Sequence, residues 1–266
     1  MTLKTLLTFI STAVFTIYVS AQNDNSDMEV VYKMKYIPDS LKKEKSILVD
    51  NLVLLFNNHS SIYFSQEAKN YYDYLSKGIA KMQNGTISLG TLPDYPRSRA
   101  SVYKNGDIIT ATLPVGKYFY SFEEPKLQWT LLNDKTKING IECSFAKTVT
   151  DTGDTFFAWY TMEYPFSEGP FRFKGLPGLI LKVFNKNNTI EIEAVEIKKS
   201  ISVIEPFIIS GSIKIKNKNI YLKTRAEYNE NPNIQNINSG IIIKKDGVVL
   251  NNGTSLRKIE ANVFLD

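Results

Sequence analysis

Residues 169–185 read GPFRFKGLPGLILKVFN. Three glycines and two prolines cut a run that is otherwise aromatic and aliphatic. Pro177 fixes φ for the second residue of a turn, and Gly178 supplies the positive φ that a type II turn requires at its third. Gly175, with no Cβ, lets backbone come close. Leu176, Leu179, Ile180 and Leu181 are apolar and bury the turn, and Gly169-Pro170 makes an earlier bend. The stretch Gly175–Ile180 is therefore expected to be a tight corner, clamped by leucines, that leads into a core strand. It is not a phosphate loop, because Leu179-Ile180 follows the second glycine where that motif needs Lys-Ser/Thr.

Working outward, strand patterns dominate. Val30–Ile37 alternates apolar residues with lysines and stops at Pro38. Leu52–Phe56 and Ser61–Phe64 flank an Asn57-Asn58 turn. Ser101–Lys104 and Asp107–Thr110 flank Asn105-Gly106, the strongest short hairpin signal. Lys117–Glu123 and Leu127–Leu132 read as strands, and Asp134–Gly140 as a turn. Ile141–Thr150 pairs across Asp151–Asp154 with Thr155–Glu163, and Leu179–Phe184 pairs across Lys186–Asn188 with Ile190–Ile197. Further β patterns run from Ser200 to Ile220, and Ile241–Lys244 and Val248–Leu250 flank Asp246-Gly247. One helix stands out: Ser65 is its N-cap, Ala68, Tyr72, Leu75, Ile79 and Met82 form one face, and Asn84-Gly85 ends it. Residues 224–240 are polar and read as a loop with a short helix at its start. The fold expected is mostly β: one antiparallel, curved or half-barrel-like sheet with one main helix packed on it.

The bulk numbers exclude much. The chain has 266 residues, 43% of them apolar, enough for one large domain. MTLKTLLTFISTAVFTIYVSA carries one cation, Lys4, then an apolar core, then small residues at Val19-Ser20-Ala21. Residues 1–21 are read as a secretory signal peptide and 22–266 as a single domain, placing the mature chain in the periplasm or outside the cell. Losing Lys4 lowers the net charge from +5 to +4. Basic residues are scattered along strand-like runs, so no nucleic-acid partner is expected. With one Cys and one His in the chain, no internal disulfide and no Cys/His zinc site can form. Cys143 sits in a strand-like run and is read as buried, His59 as a solvated hairpin tip. No cofactor and no metal are expected.

Several ordered motifs resemble the GLPGLI family of secreted bacterial proteins, known mainly from the Bacteroidetes. The naming hexapeptide is intact at Gly175–Ile180. Trp129, the Lys137–Cys143 stretch, Ala158-Trp159-Tyr160-Thr161, Pro165, Gly169-Pro170 and Ser61–Ser65 resemble its other segments, over about residues 29–200. Ile141 stands where an aromatic is usual, and Asp154-Thr155-Phe156 where many members carry an arginine. The resemblance implies an exported protein with no established activity, often found beside outer-membrane transport systems. Such a transport protein is a candidate partner.

The aromatics suggest a site. Phe157 and Trp159 share one strand face, and Phe156, Ala158 and Tyr160 the other. Trp129, Phe157, Trp159 and Tyr160 are the expected lining of an apolar pocket for a small apolar molecule, lipid or peptide, lying between sheet and helix beside the Gly175–Ile180 corner. The expected role is a non-enzymatic binding or accessory protein of the cell envelope. The alternative is a carboxylate-dependent hydrolase using Glu163 and Glu168, which bracket the Tyr164-Pro165-Phe166 bend.

Overall fold

The computed structural model describes residues 24–39, 41, 47–80, 91, 93–207, 209, 211–232, 244–245, 248–249 and 264–265. The expected leader 1–21, Met82, the helix stop at Asn84-Gly85, residues 233–240 and the Asp246-Gly247 turn lie outside the described residues.

Alternating and fully apolar runs become the strands of one sheet: β1 (Met28–Tyr36), β2 (Leu48–Phe56), β3 (Ser60–Ser65), β4 (Ser101–Asn105), β5 (Ile108–Val115), β6 (Tyr118–Glu123), β7 (Trp129–Ile138), β8 (Ile141–Val149), β9 (Thr155–Thr161), β10 (Leu179–Asn185), β11 (Ile190–Lys199) and β12 (Ile213–Lys214). Their order is β12-β6-β5-β4-β3-β2-β1-β11-β10-β9-β8-β7. The sheet is open and antiparallel except where β12 runs parallel to β6. A small hairpin, β13 (Lys244–Lys245) with β14 (Val248–Val249), stands apart from it.

Among the described residues two helices accompany the sheet, α1 (Gln66–Ala80) and α2 (Lys218–Glu230). Ser65 Oγ accepts from Ala68 N at 3.4 Å, so the expected cap opens α1. Of the β patterns expected from Ser200 to Ile220 only β12 is a strand among the described residues, while the short helix expected at the start of 224–240 is present but longer, beginning at Lys218. Asn217 is its N-cap, accepting from Ile220 N at 3.3 Å, and Tyr221 is buried against Phe122 at 5.2 Å between ring centroids. The turn expected over Asp134–Gly140 is also shorter. β7 runs to Ile138, and only Asn139 and Gly140, both with positive φ, reverse the chain.

The sheet curls strongly. In a flat sheet β4 and β7, eight strands apart in the order, would be separated by about 38 Å. Instead Lys104 on β4 meets Glu168, Glu168 meets Lys174, and the Lys174 carbonyl accepts from Trp129 Nε1 on β7 at 2.9 Å. The piece that spans the gap is residues 162–178, between β9 and β10; it is called the arch below. It fills the inner face of the sheet, where Phe171 meets Tyr63 of β3 and Phe173 meets Phe156 of β9. The inner core also includes Val30, Tyr32, Leu54, Phe56, Ala111, Ala158, Val183 and Ile192. The side expected to be closed by the first helix is thus occupied by the arch and α2. α1 lies on the outer face, where Leu55, Ile62 and Phe64 pack with Ile204, and where Tyr72 meets Phe119 and Phe207.

Candidate functional site

The arch is built by its glycines, though not in the roles the turn pattern implies. Gly175, not Gly178, takes the left-handed conformation, with φ +94° and open space where a Cβ would point. Gly178 lies against β9, where a Cβ would sit 2.0 Å from the Thr161 carbonyl oxygen. The two positions exchange the reasons for being glycine: backbone freedom at 175, close approach at 178. No type II turn with Gly178 third can form, because that residue is not in the left-handed region. Gly169 is a second close approach, a Cβ there meeting the Phe173 carbonyl oxygen at 2.3 Å. The leucine clamp is present as expected: Leu176, Leu179, Ile180 and Leu181 are all buried. Tyr32 of β1 donates to the Ile180 carbonyl at 2.7 Å and fixes the start of β10.

Two clusters of buried charge hang from the arch. In the first, Glu168 lies 2.6 Å from Lys104 and 2.7 Å from Lys174. Lys174 also donates to the Gly169 carbonyl at 3.0 Å. Burial alone would push the Glu168 carboxyl up, but the two ammonium groups outweigh it and hold it below the usual glutamate range. Complete burial pulls the Lys174 ammonium below the ordinary lysine value, against the attraction of Glu168. In the second cluster, Arg172 Nη1 lies 3.1 Å from Glu124 and 2.7 Å from Asp151, and Lys218 at the start of α2 lies 3.0 Å and 3.1 Å from the same two acids. Burial raises the Glu124 carboxyl despite Arg172 and Lys218. Asp151 is partly exposed, and the same cations hold it low against the pull of burial. Within each cluster the acids and cations pair with one another.

The sequence reading missed both clusters. Phe171-Arg172-Phe173-Lys174 alternates like a half-wet strand, yet all four side chains are buried, because the curled sheet surrounds the arch. The available signal was the placing of two cations and one acid inside a glycine-punctuated aromatic run.

Two clefts open on the inner side. The first, about 190 Å³, has an apolar floor of Met34, Leu113, Pro114 and Phe171. Arg97, Arg99 and Arg225 stand around it, and Asp50 of β2 reaches into it. Arg99 donates to the Gly116 carbonyl at 3.0 Å, and Arg225 stacks on Phe264 with 3.7 Å from its guanidinium carbon to the ring centroid. The second cleft, about 500 Å³ and more polar, lies at the other end of the arch between His59, Lys104, Lys126, Gln128 and Lys174. Lys126 at its rim is paired with Asp107 at 2.8 Å.

The structure does not bring the four expected lining residues together. Phe157 and Trp159 lie on the outer face, half-exposed, in a stack with Phe145 and Phe184; Phe145 and Trp159 are 4.2 Å apart between centroids. Tyr160 is buried on the inner face, and Trp129 packs on the inner core while tied to Lys174. Trp159 lines a shallow outer hollow with Phe184, Lys182 and Glu193, and none of the four lines the apolar cleft. The two acids of the hydrolase alternative are likewise apart: Glu163 is exposed and accepts from Glu142 N at 3.3 Å, while Glu168 is locked between lysines. Cys143 is buried, its thiol pushed up to about 11 mainly by that burial, and His59 is an exposed hairpin tip as expected. Among the described residues no group of His, Cys, Asp and Glu could hold a metal ion. Among them, too, no helix is long and apolar enough to cross a membrane.

A family model matches the arch. It is described as a protein of unknown function (Porph_ging), and it covers residues 119–182, from β6 through the arch into β10. That segment contains Glu124, Asp151, Glu168, Arg172 and Lys174. No curated protein matches the chain. Among solved structures, PNGF-II in two crystal forms is similar over 76% of this chain, with 16% identity and TM-score 0.50 in one, and 17% and 0.49 in the other. This chain spans about a third of the length of PNGF-II, 33% of it in each form. An uncharacterized conserved protein from Thermus thermophilus has TM-score 0.35 and 5% identity, over 73% of this chain and 92% of that one. At 16% identity the likeness to the first PNGF-II form is one of fold alone.

Proposed function

We propose that the protein is an exported GLPGLI-type protein that works in the cell envelope by binding, not by catalysis. The observation that carries this reading is the open apolar cleft over Met34, Leu113 and Phe171, set beside charge clusters whose members are already matched to one another. Convergent apolar walls with a few polar groups at the mouth are what a small-molecule site needs. The leader pattern of residues 1–21 supports export, and the ordered motifs around Gly175–Ile180 support the family. The ligand is a small apolar-bodied molecule or the end of a peptide, and a transport protein of the outer membrane is the natural partner to supply or receive it. Trp129 holds the far end of the arch through Lys174, and Phe157 and Trp159 offer a second, outer surface to such a partner.

Native mass spectrometry of protein purified from its own host tests the reading. A bound small molecule is expected in the wild type and absent from Ala100→Phe, which fills the cleft. A bare polypeptide in repeated preparations overturns it. Fractionation tests the export: a chain beginning near Gln22 outside the cytoplasm is expected, and a cytoplasmic chain retaining residues 1–21 overturns that part.

A further inference from the structure

The polar groups of the apolar cleft narrow what it binds. Asp50 is 8% exposed, and its Oδ1 accepts from the Asn51 amide at 2.8 Å. Its Oδ2 is buried without a hydrogen-bond partner, although Asp50 lines the cleft. A buried carboxylate oxygen with no donor is left undersolvated and destabilises the fold. Arg97 lines the same cleft, is exposed, and makes one weak contact, to the Val49 carbonyl at 3.5 Å. The two are close enough for the Arg97 charge to be felt at Asp50. Yet among the described residues no ion pair joins them, and no acid pairs with Arg97. An acid and a base that face one small cavity without touching leave room for a ligand that bridges them. Burial and the nearby Glu67 charge raise the Asp50 carboxyl, outweighing the Asn51 and Ser98 backbone and Arg97, which lower it. A cation beside Asp50 removes both penalties together.

We propose that the cleft takes a small zwitterion, a free apolar amino acid, with its ammonium on Asp50, its carboxylate on Arg97 and its side chain over Met34, Leu113 and Phe171. This assignment rests on the binding reading above and narrows it to one chemical class. An ammonium has three donors and so meets the free Asp50 oxygen, and a guanidinium matches a carboxylate in two parallel bonds. At about 190 Å³ the cavity is below the roughly 300 Å³ at which drug-sized pockets begin, which limits the occupant to something of amino-acid size. Phe264 and Leu265 add apolar surface to the walls of the same cleft.

The test is calorimetric titration of the full-length protein, first dialysed free of any co-purified small molecule, with three matched probes: L-leucine, 4-methylpentanoate, which lacks the ammonium, and isopentylamine, which lacks the carboxylate. L-Leucine is expected to bind at least about tenfold more tightly than either. Asp50→Asn is expected to bring L-leucine to the level of 4-methylpentanoate and leave that acid unchanged. Arg97→Gln, at an exposed position that does not threaten folding, is expected to bring it to the level of isopentylamine. If 4-methylpentanoate matches L-leucine in the wild type, or Asp50→Asn folds and changes nothing, the zwitterion assignment falls while the binding reading stands. If no probe gives heat at about 10 mM, the zwitterion assignment falls, and the binding reading is decided separately by the native mass spectrum.

Discussion

Glu168 and Lys174 meet at 2.7 Å with each side chain only 2% exposed, inside an arch that the curled sheet encloses. A pair so deeply buried is a poor source of net stability compared with apolar residues of the same shape, but breaking it strands a charge. Glu168→Gln should therefore cost about 3–5 kcal/mol, and Glu168→Leu with Lys174→Met together much less than either alone. Urea unfolding of these variants measures both effects; an additive double mutant would sink this account.

The same carboxyl sets a pH dependence. Its folded-state pKa is below the unfolded value near 4.5, so its contribution is complete above that pH and is lost as the pH falls through the lowered value. Glu124 is shifted the other way and gains stability on protonation, so total stability mixes the two. The difference between wild type and Glu168→Gln isolates the first: it should be largest at neutral pH and shrink steadily below about 4.5.

The two glycines of the hexapeptide should fail differently. Gly178→Ala places a Cβ 2.0 Å from the rigid Thr161 carbonyl and should cost at least about 3 kcal/mol or prevent folding. Gly175→Ala meets open space and suffers only from its φ of +94°, at about 1–2 kcal/mol. Melting temperatures of the two variants should fall in that order. Equal losses would mean the two glycines do not play these separate roles.

Cys143 should be silent until the fold opens. Its thiol is buried and titrates near 11, so little thiolate exists at neutral pH. Ellman's reagent should label it no faster than the protein unfolds, with the labelling rate following denaturant concentration. Rapid labelling of the native protein would contradict the burial.

Surface charge should matter little by comparison. Lys69 and Asp73 pair at 3.0 Å across one turn of α1, both partly in water. Lys69→Ala should change stability by less than about 0.5 kcal/mol. Arg172→Met should cost several times that, because Arg172 and its partner Glu124 are 1% and 0% exposed.

Much of the sheet was legible because its signals are local. Asn105-Gly106, Asp151–Asp154 and the turn after Asn185 mark their hairpins in the sequence, and strand alternation does the rest. The Asn57 side chain accepts from the His59 and Ser60 amides, the Asx geometry that its position suggests. The arch was illegible for the opposite reason. Whether Arg172 is wet or dry depends on Glu124, Asp151 and Lys218, distant in the chain and brought near only by the curl of the sheet. The cleft was hidden likewise: Asp50 is a single acid within β2, and nothing nearby in the chain announces Arg97 as its neighbour at the cavity. The aromatic strand was read correctly as two-faced, but a half-exposed stack and a buried core look alike in a list of residues.

The pairing of β1 has a consequence for how the chain assembles. One side of β1 finds β2, the next strand in the chain, but the other waits for β11, so that Met28 pairs with Lys199. Until those late residues exist, a nascent chain carries an unpaired, hydrophobic strand border, open to the wrong neighbour. Maturation should accordingly be slow, dominated by distant contacts, and sensitive to any chaperone that shields that border while the rest of the polypeptide is made.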